Sequence, residues 1–393
     1  MASIGQHCRF ENGDRGKNYP GRKAFVTEGV PFVNAGHIED GQLDLSEMNY
    51  IPRHHFERLG SGKIRRGDLL FCLRGSLGKY AIVDNMDEGA IASSLVIVRP
   101  DKALAPQFLA HYFGSSMCAE EIVKYGNGAA QPNLSAKSLA SFQLPVPPLE
   151  EQHRIVAVLD EAFEGLARAR AHTEANLKNA RVLFTLELKD MFSEGKDGWT
   201  KAKIEDLCTI RSGTTVSKAL ERASGDVPYI KVADMNLADN LEGIVTSTRF
   251  LSANDVPDRQ IIRAGATIFP KRGGAILTNK KRKVLVDICA DLNVMGVIPG
   301  AKIDEDFLHY YFLSIDMREI GSGSSIPQIN NYDINPMVLS FPSSHSQQAE
   351  VAHGLQLLRD KTATLSAAYR TKLSDIEALR QSLLQKAFAG ELT

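Results

Sequence analysis

The chain has 393 residues, 43% of them hydrophobic and 24% charged, with 46 Lys and Arg against 47 Asp and Glu for a net charge of −1. At roughly 150 residues per domain this length predicts two or three folding units, and the ordinary composition excludes collagen-like, disordered and disulfide-dense classes. The balanced charge excludes a global basic field, so any site for an anionic polymer must be local.

The opening Met1-Ala2-Ser3-Ile4-Gly5-Gln6 has no basic stretch followed by an apolar run, which predicts no secretory signal. No window approaches the roughly 20 apolar residues of a membrane helix, so a soluble, cytoplasmic protein without membrane contact is expected. The cysteines Cys8, Cys72, Cys118, Cys208 and Cys289 form no C-x-x-C pair. That pattern suits a reducing compartment and argues against a structural zinc.

Residues 1–147 mix short apolar runs such as Leu95-Val96-Ile97-Val98 with glycine-rich turns and one helix near Phe108, which predicts a compact, strand-rich globule. Residues 148–192 read differently. Apolar or small residues recur by threes and fours at Ile155, Leu159, Ala162, Leu166, Ala169, Thr173, Leu177, Ala180, Phe184 and Leu188, with no proline from Leu149 to Met191. This is the pattern of a long amphipathic helix. Pro147-Pro148 open it, Glu150 and Glu151 complement the positive end of its dipole, and Gly195 and Gly198 bound its end.

Residues 193–342 predict a second strand-rich globule, with Val284-Leu285-Val286 as one strand and a helix near Phe307. Residues 343–393 predict a second long helix, with a Ser344-x-x-Gln347 capping box and a stripe at Val351, Leu355, Leu358, Leu365, Tyr369, Leu373, Ile376, Leu379 and Leu383.

The second half repeats the first at an offset drifting from 200 to 195. Cys8 and Gly13 answer Cys208 and Gly213; Val30-Pro31-Phe32-Val33 answers Val227-Pro228-Tyr229-Ile230. Ile64 to Phe71 answers Ile262 to Phe269, Arg74-Gly75 falls on Arg272-Gly273, and Gly126 to Pro132 answers Gly321 to Pro327. Two globules therefore alternate with two helices, an α+β arrangement. Docking the two apolar stripes removes them from water at roughly 25 cal/mol per Å², so an intramolecular coiled coil is expected. A helix from Leu149 to Met191 rising about 1.5 Å per residue is about 65 Å long, more than a compact 150-residue globule can bridge. The helices are thus expected to run antiparallel, with the globules at opposite ends.

The common catalytic constellations fail on spacing. Gly75-Ser76-Leu77-Gly78-Lys79-Tyr80 is too short for a phosphate loop and ends in Tyr80 instead of Ser or Thr. Glu187-Leu188-Lys189 lies inside the long helix with no paired Asp upstream, and His54-His55, adjacent and so expected to point apart, have no third metal ligand at suitable spacing. Pro147-Pro148 is followed by Leu149, not by the aromatic of an amino-methyltransferase, and no Gly-x-Ser-x-Gly elbow is present. A non-catalytic chain that binds no cofactor is expected.

Two similar globules on a rigid spacer suit an extended partner gripped at two points. Duplex DNA asks for cations on phosphate and for Arg, Lys, Asn or Gln on base edges. Loops at repeated positions offer them: Arg74, Ser76 and Lys79 in the first copy, Lys271 and Arg272 in the second, followed by Asn279, Lys280, Lys281 and Arg282. Gln131, Asn133 and Gln328 on the Gly126–Pro132 and Gly321–Pro327 loops or just beyond them are candidate base contacts. The competing reading is of solvated hairpin tips, where lysine discourages edge pairing, and of turns that fix domain to helix.

Leu144-Pro145-Val146-Pro147-Pro148-Leu149-Glu150-Glu151-Gln152-His153-Arg154-Ile155-Val156, and the closing Leu379 to Leu392, make the whole chain resemble the specificity subunit of type I restriction-modification systems. Gly67-Asp68-Leu69-Leu70-Phe71 is similar to a recurring part of that family's target recognition domains; Gly265-Ala266-Thr267 and Ser340-Phe341-Pro342-Ser343-Ser344 depart from the pattern. The resemblance implies two target recognition domains, each reading one half of a bipartite double-stranded DNA target, with the helix pair setting the gap. It also implies docking of two methyltransferase subunits, which would carry S-adenosylmethionine, with restriction subunits joining that core. The alternatives are a bivalent protein-binding adaptor that ignores DNA and a nuclease with unrecognised residues.

Overall fold

The computed structural model describes residues 1–39, 41–126, 133–193, 196–320 and 327–392. Its internal packing divides the chain into two compact units, Met1–Glu174 with Thr371–Thr393, and Ala175–Arg370. Each unit holds one strand-rich domain and a stretch of both long helices.

In the first unit, Leu69–Cys72 and Leu95–Pro100 are apolar almost throughout because both of their faces are covered. Leu69, Phe71, Val96 and Val98 face the helices, while Leu70, Cys72, Leu95 and Ile97 face a second sheet. The first sheet runs in the order Cys8–Asn12, Leu95–Pro100, Leu69–Cys72, Tyr80–Ile82; the second runs Asn49–Ile51, Val30–Val33, Glu88–Ile91, Lys63–Arg65.

The second unit reproduces both orders: Cys208–Ser212, Val294–Pro299, Thr267–Pro270, Arg282–Lys283, and Phe250–Leu251, Val227–Ile230, Ile288–Ala290, Ile261–Ile262. Even the parallel pairing of two strands recurs, Val30–Val33 with Glu88–Ile91 and Val227–Ile230 with Ile288–Ala290. The repeat anchors have physical reasons. A Cβ on Gly13 would sit 2.6 Å from the Ala92 carbonyl oxygen, and one on Gly213 2.0 Å from that of Asp291. Gly67 and Gly265 both turn with φ of 87°, a left-handed backbone that favours glycine.

One departure between the copies is a reversal of polarity. Glu11 accepts from the Gly62 and Lys63 amides and from Arg99, which also holds buried Asp68. In the other copy Arg211 stands at the place of Glu11 and donates to the Asp258 and Ile261 carbonyls, while Ala266 and Ile298 replace Asp68 and Arg99. The Gly265-Ala266-Thr267 variation is the sequence trace of that exchange.

The long helices are Leu149–Ser193 and His345–Ala389. In the first unit Ile155 and Leu159 share a core with Leu384, Ala387 and Phe388, and Arg380 lies 5.1 Å over the Phe163 ring, so the segments run antiparallel. In the second unit Leu188 shares a core with Ala352 and Leu355. Every expected stripe position of the first helix is buried or half-buried. The second needs correction: Leu365 and Leu379 are 41% and 50% exposed, while Thr362, Ser366 and Leu384 are buried. Thr362 can take such a place because its hydroxyl bonds back to the Leu358 carbonyl (2.9 Å).

Each helix is also joined to a domain at its ends. Gln152 and Gln348, both 0% exposed, bond to their domains through the first helical turn. At the other ends, Phe388 meets Phe108 and Tyr112 (5.1 and 5.7 Å), and Phe192 meets Phe307 and Tyr311 (5.2 and 5.7 Å). The capping box is corrected here too: Ser344 precedes the helix, but the glutamine bonded into the structure is Gln348, one residue beyond Gln347. Gly195 lies outside the described residues, and Gly198 turns with φ of 82°. No helix among the described residues is long and apolar enough to cross a membrane.

Candidate nucleic-acid interface

Strand Leu69–Cys72 delivers Arg74 to the domain surface, and there its backbone bridges Asn133 in antiparallel fashion. The Leu134 amide donates to the Leu73 carbonyl (2.9 Å) beside it. The second copy repeats this. Thr267–Pro270 delivers Arg272, whose backbone bridges Gln328, flanked by Ile329 N–H to Lys271 O (2.9 Å) and Gly273 N–H to Pro327 O (2.8 Å). Loops more than fifty residues apart in sequence are thus brought together at the same place in both domains. Gln131 lies outside the described residues.

In the first domain these residues open onto a cleft of about 450 Å³ lined by Arg74, Asn133, Asn12, Arg15, Ser135, Lys137 and Ser138. Its lining has three cations and no carboxylate, although the domain as a whole is near neutral. The nearby Asp14 is turned to backbone, accepting from the Gly16 and Gly60 amides (2.6 and 2.8 Å). Such a surface combines positive charge with amide and hydroxyl groups, the side-chain types that phosphate and base-edge contacts use.

Arg15 and Lys137 were not among the sequence candidates. Arg15 had a visible signal, a loop containing Arg15, Lys17, Arg22 and Lys23. Lys137 had none, because only the fold brings the short helix Ala136–Ala140 beside Arg74. The Arg74–Lys79 loop also divides. Ser76 is exposed, whereas Lys79 donates to the Ile38 carbonyl (2.9 Å) and lines a separate cleft with Glu39 and Arg380.

The second domain requires corrections. Arg272 is exposed, but Lys271 is only 8% exposed and donates to the Ser212 hydroxyl (2.8 Å); burial first, then the Arg272 guanidinium, holds its pKa below the ordinary value. Asn279 adopts a left-handed backbone (φ 52°) and its side-chain oxygen accepts from the Met317 amide and Lys281 Nζ, 2.8 Å each. Lys281, 4% exposed, also donates to the Ile315 carbonyl (2.6 Å). Arg282 donates to the Asn240 and Lys281 carbonyls (3.1 and 2.9 Å). The basic run is a sheet edge: Arg282–Lys283 pairs with Thr267 and Ile268 where Ala81 and Ile82 pair in the first copy. Lys281 is therefore buried scaffolding, while Asn279 and Arg282 are half-buried and bonded to neighbouring backbone. Lys280 bonds to Asn236, and Gln328 heads a polar chain through Asn330 to exposed Tyr332.

Burial pushes Lys281 down to about 8 from 10.5. Between those values the unfolded chain keeps a proton that the folded chain has released. Stability is therefore expected to rise with pH from about 8 to 10.5 and the rise to vanish in Lys281→Met, as read by urea unfolding across that range.

No group of three metal-ligating side chains occurs among the described residues. His54 and His55 do not diverge as expected; their rings lie 4.7 Å apart on the short helix Arg53–Arg58.

The family model for the type I restriction modification DNA specificity domain matches residues 15–178 and 196–374. This chain belongs to that family, whose general role is DNA target recognition. The specificity subunit of the type I restriction enzyme EcoKI of Escherichia coli (strain K12) is 23% identical over 398 residues, covering 93% of this chain and 82% of that protein. The StySPI specificity subunit of Salmonella potsdam is 23% identical over 391 residues, with the same coverage. Among solved structures, the HsdS subunit of Thermoanaerobacter tengcongensis superposes with a TM-score of 0.67 at 19% identity, covering 100% of this chain and 96% of that one. A chain from a study of assembly and conformational transition in the type I R-M system gives 0.79 at 20%, covering 100% and 97%. These likenesses carry the fold.

Proposed function

We propose that this chain is the DNA-binding specificity subunit of a type I restriction-modification complex, each of its domains reading one half of a bipartite target. The observation that carries this reading is the repeated junction of Arg74 with Asn133 and of Arg272 with Gln328, a cation beside an amide at one place in both domains. Similar scaffolds with different side chains at that place suit an asymmetric target.

The paired helices set the gap and dock two methyltransferase subunits, with restriction subunits joining that core. S-adenosylmethionine belongs to the methyltransferase subunits, and this chain performs no chemistry. Its setting is the cytoplasm, where the DNA is.

Sequencing methylated adenines in the host identifies both half-sites. The full chain with its methyltransferase subunits is then expected to shift duplex carrying them, with affinity falling steeply with salt. An adaptor would leave the duplex unshifted at every salt concentration, and a nuclease would cut it when given metal. Lengthening both helices by one heptad adds about 10.5 Å, and is expected to widen the preferred gap by about three base pairs at 3.4 Å each. The half-site sequences should stay the same. A preferred gap unchanged in the lengthened protein would sink the ruler.

A further inference from the structure

We propose that Gln152 and Gln348 are the joints that hold each recognition domain at a fixed angle to its helix, and so decide how strictly the gap between half-sites is enforced. This rests on the bipartite reading above. The two residues occupy corresponding places, the first turn of each long helix, and both are fully buried.

Their bonds match one for one. Gln152 accepts from the Ala105 amide (2.8 Å) and donates to the Ala103 and Pro147 carbonyls (2.8 Å each). Gln348 accepts from the Asp304 amide (2.7 Å) and donates to the Lys302 and Pro342 carbonyls (3.1 and 2.8 Å). Each amide thus ties three pieces of backbone: the helix, the segment leading into it, and the loop before the domain helix Pro106–Phe113 or Glu305–Ser314.

No other side chain of this length offers one acceptor and two donors in this fork. Glutamate loses both donated bonds, and methionine fills the space with none. Repetition of the joint in both copies, while surface side chains around it differ, marks a requirement on orientation.

The geometry explains why stiffness matters. A domain of 150 residues is about 30 Å across, twice its estimated radius of gyration. Swinging it by about 10° on its joint moves the far edge by about 5 Å, more than the 3.4 Å rise of a base pair. A loosened joint would therefore cover the rise to a half-site displaced by one step and part of its turn of about 34°, so that the duplex need twist less to supply the rest.

The test uses the full chain with its methyltransferase subunits and duplexes carrying the native half-sites at gaps one and two base pairs shorter or longer. Wild type should prefer its own gap over the neighbouring one by about a hundredfold, the scale set by twisting and stretching DNA to fit. In Gln152→Met and Gln348→Met that ratio should fall about tenfold or more, with native-gap affinity and half-site preference nearly unchanged.

Loss of thermal stability alone would reflect packing; a change in gap ratio reports orientation. Should either methionine variant fail to fold, Gln152→Asn or Gln348→Asn, which keeps the amide but is one methylene too short to hold all three partners, makes the comparison. Folded variants as strict as wild type overturn the joint and leave the bipartite reading standing. A wild-type protein with no bipartite target overturns both.

Discussion

Replacing Arg99 with methionine is expected to lower the stability of the first domain by about 3–5 kcal/mol, the scale for breaking a buried ion pair by removing one partner. Arg99 donates to Asp68 through Nε and Nη2 (2.7 and 2.8 Å), to Glu11 (2.5 Å) and to the Lys63 carbonyl (2.8 Å). The Asp68 side chain is only 6% exposed, so methionine would fill the space and strand a buried carboxylate. Amide exchange should show protection lost in Leu69–Cys72 and Leu95–Pro100 and kept in Val294–Pro299.

The same variant should change the acid response. Burial raises the Glu11 carboxyl, but bonds from Arg99 and from the Gly62 and Lys63 amides outweigh it and hold the pKa below its ordinary 4.5. Its stabilisation is therefore complete above about pH 4.5 and lost as pH falls through the depressed value. Without Arg99 that acid loss should be shallower. Full wild-type stability and an unchanged acid limb in Arg99→Met would contradict this account.

Removing the three cations of the first-domain cleft, Arg15, Arg74 and Lys137, by alanine substitution should weaken duplex binding about tenfold per cation. The slope of log affinity against log salt should become shallower by about 0.9 for each phosphate that is no longer neutralised. The buried Lys281 supplies the control: Lys281→Met should leave that slope as it is. An unchanged slope in the triple variant would move the interface elsewhere on the domain. Asn133 predicts the complementary result. Asn133→Ala, lacking a charge, should alter sequence preference at one half-site with little effect on the salt slope.

Much of the architecture was legible because it was written twice and with regular periods. The helices follow from residues such as Ile155, Leu159 and Leu188, and the doubled sheets from anchors such as Cys8 and Cys208, each paired with the proline that ends the neighbouring strand. Near Leu365 the second helix departs from the expected stripe because Thr362, whose hydroxyl bonds back to its own helix, and the small Ser366 take places in the seam. In the basic run at Lys280 to Lys283 charge alone does not say which side chain is buried: Lys281, just before the edge strand Arg282–Lys283, turns inward, and its neighbours stay half-exposed. The cleft was legible at Arg74 and Asn133, but not at Lys137, since sequence spacing does not disclose which distant loops will share a hydrogen bond.

The exchange of Glu11 for Arg211 has a consequence for how a duplicated chain finds its native state. Tandem repeats are prone to misassembly by trading equivalent strands. Here Cys208–Ser212 in the wrong domain would set a guanidinium against the Gly62 and Lys63 amides, and Cys8–Asn12 in its place would aim a carboxylate at the Asp258 and Ile261 carbonyls. Donor would meet donor and acceptor meet acceptor, so a traded edge strand would leave polar groups unpaired in either domain.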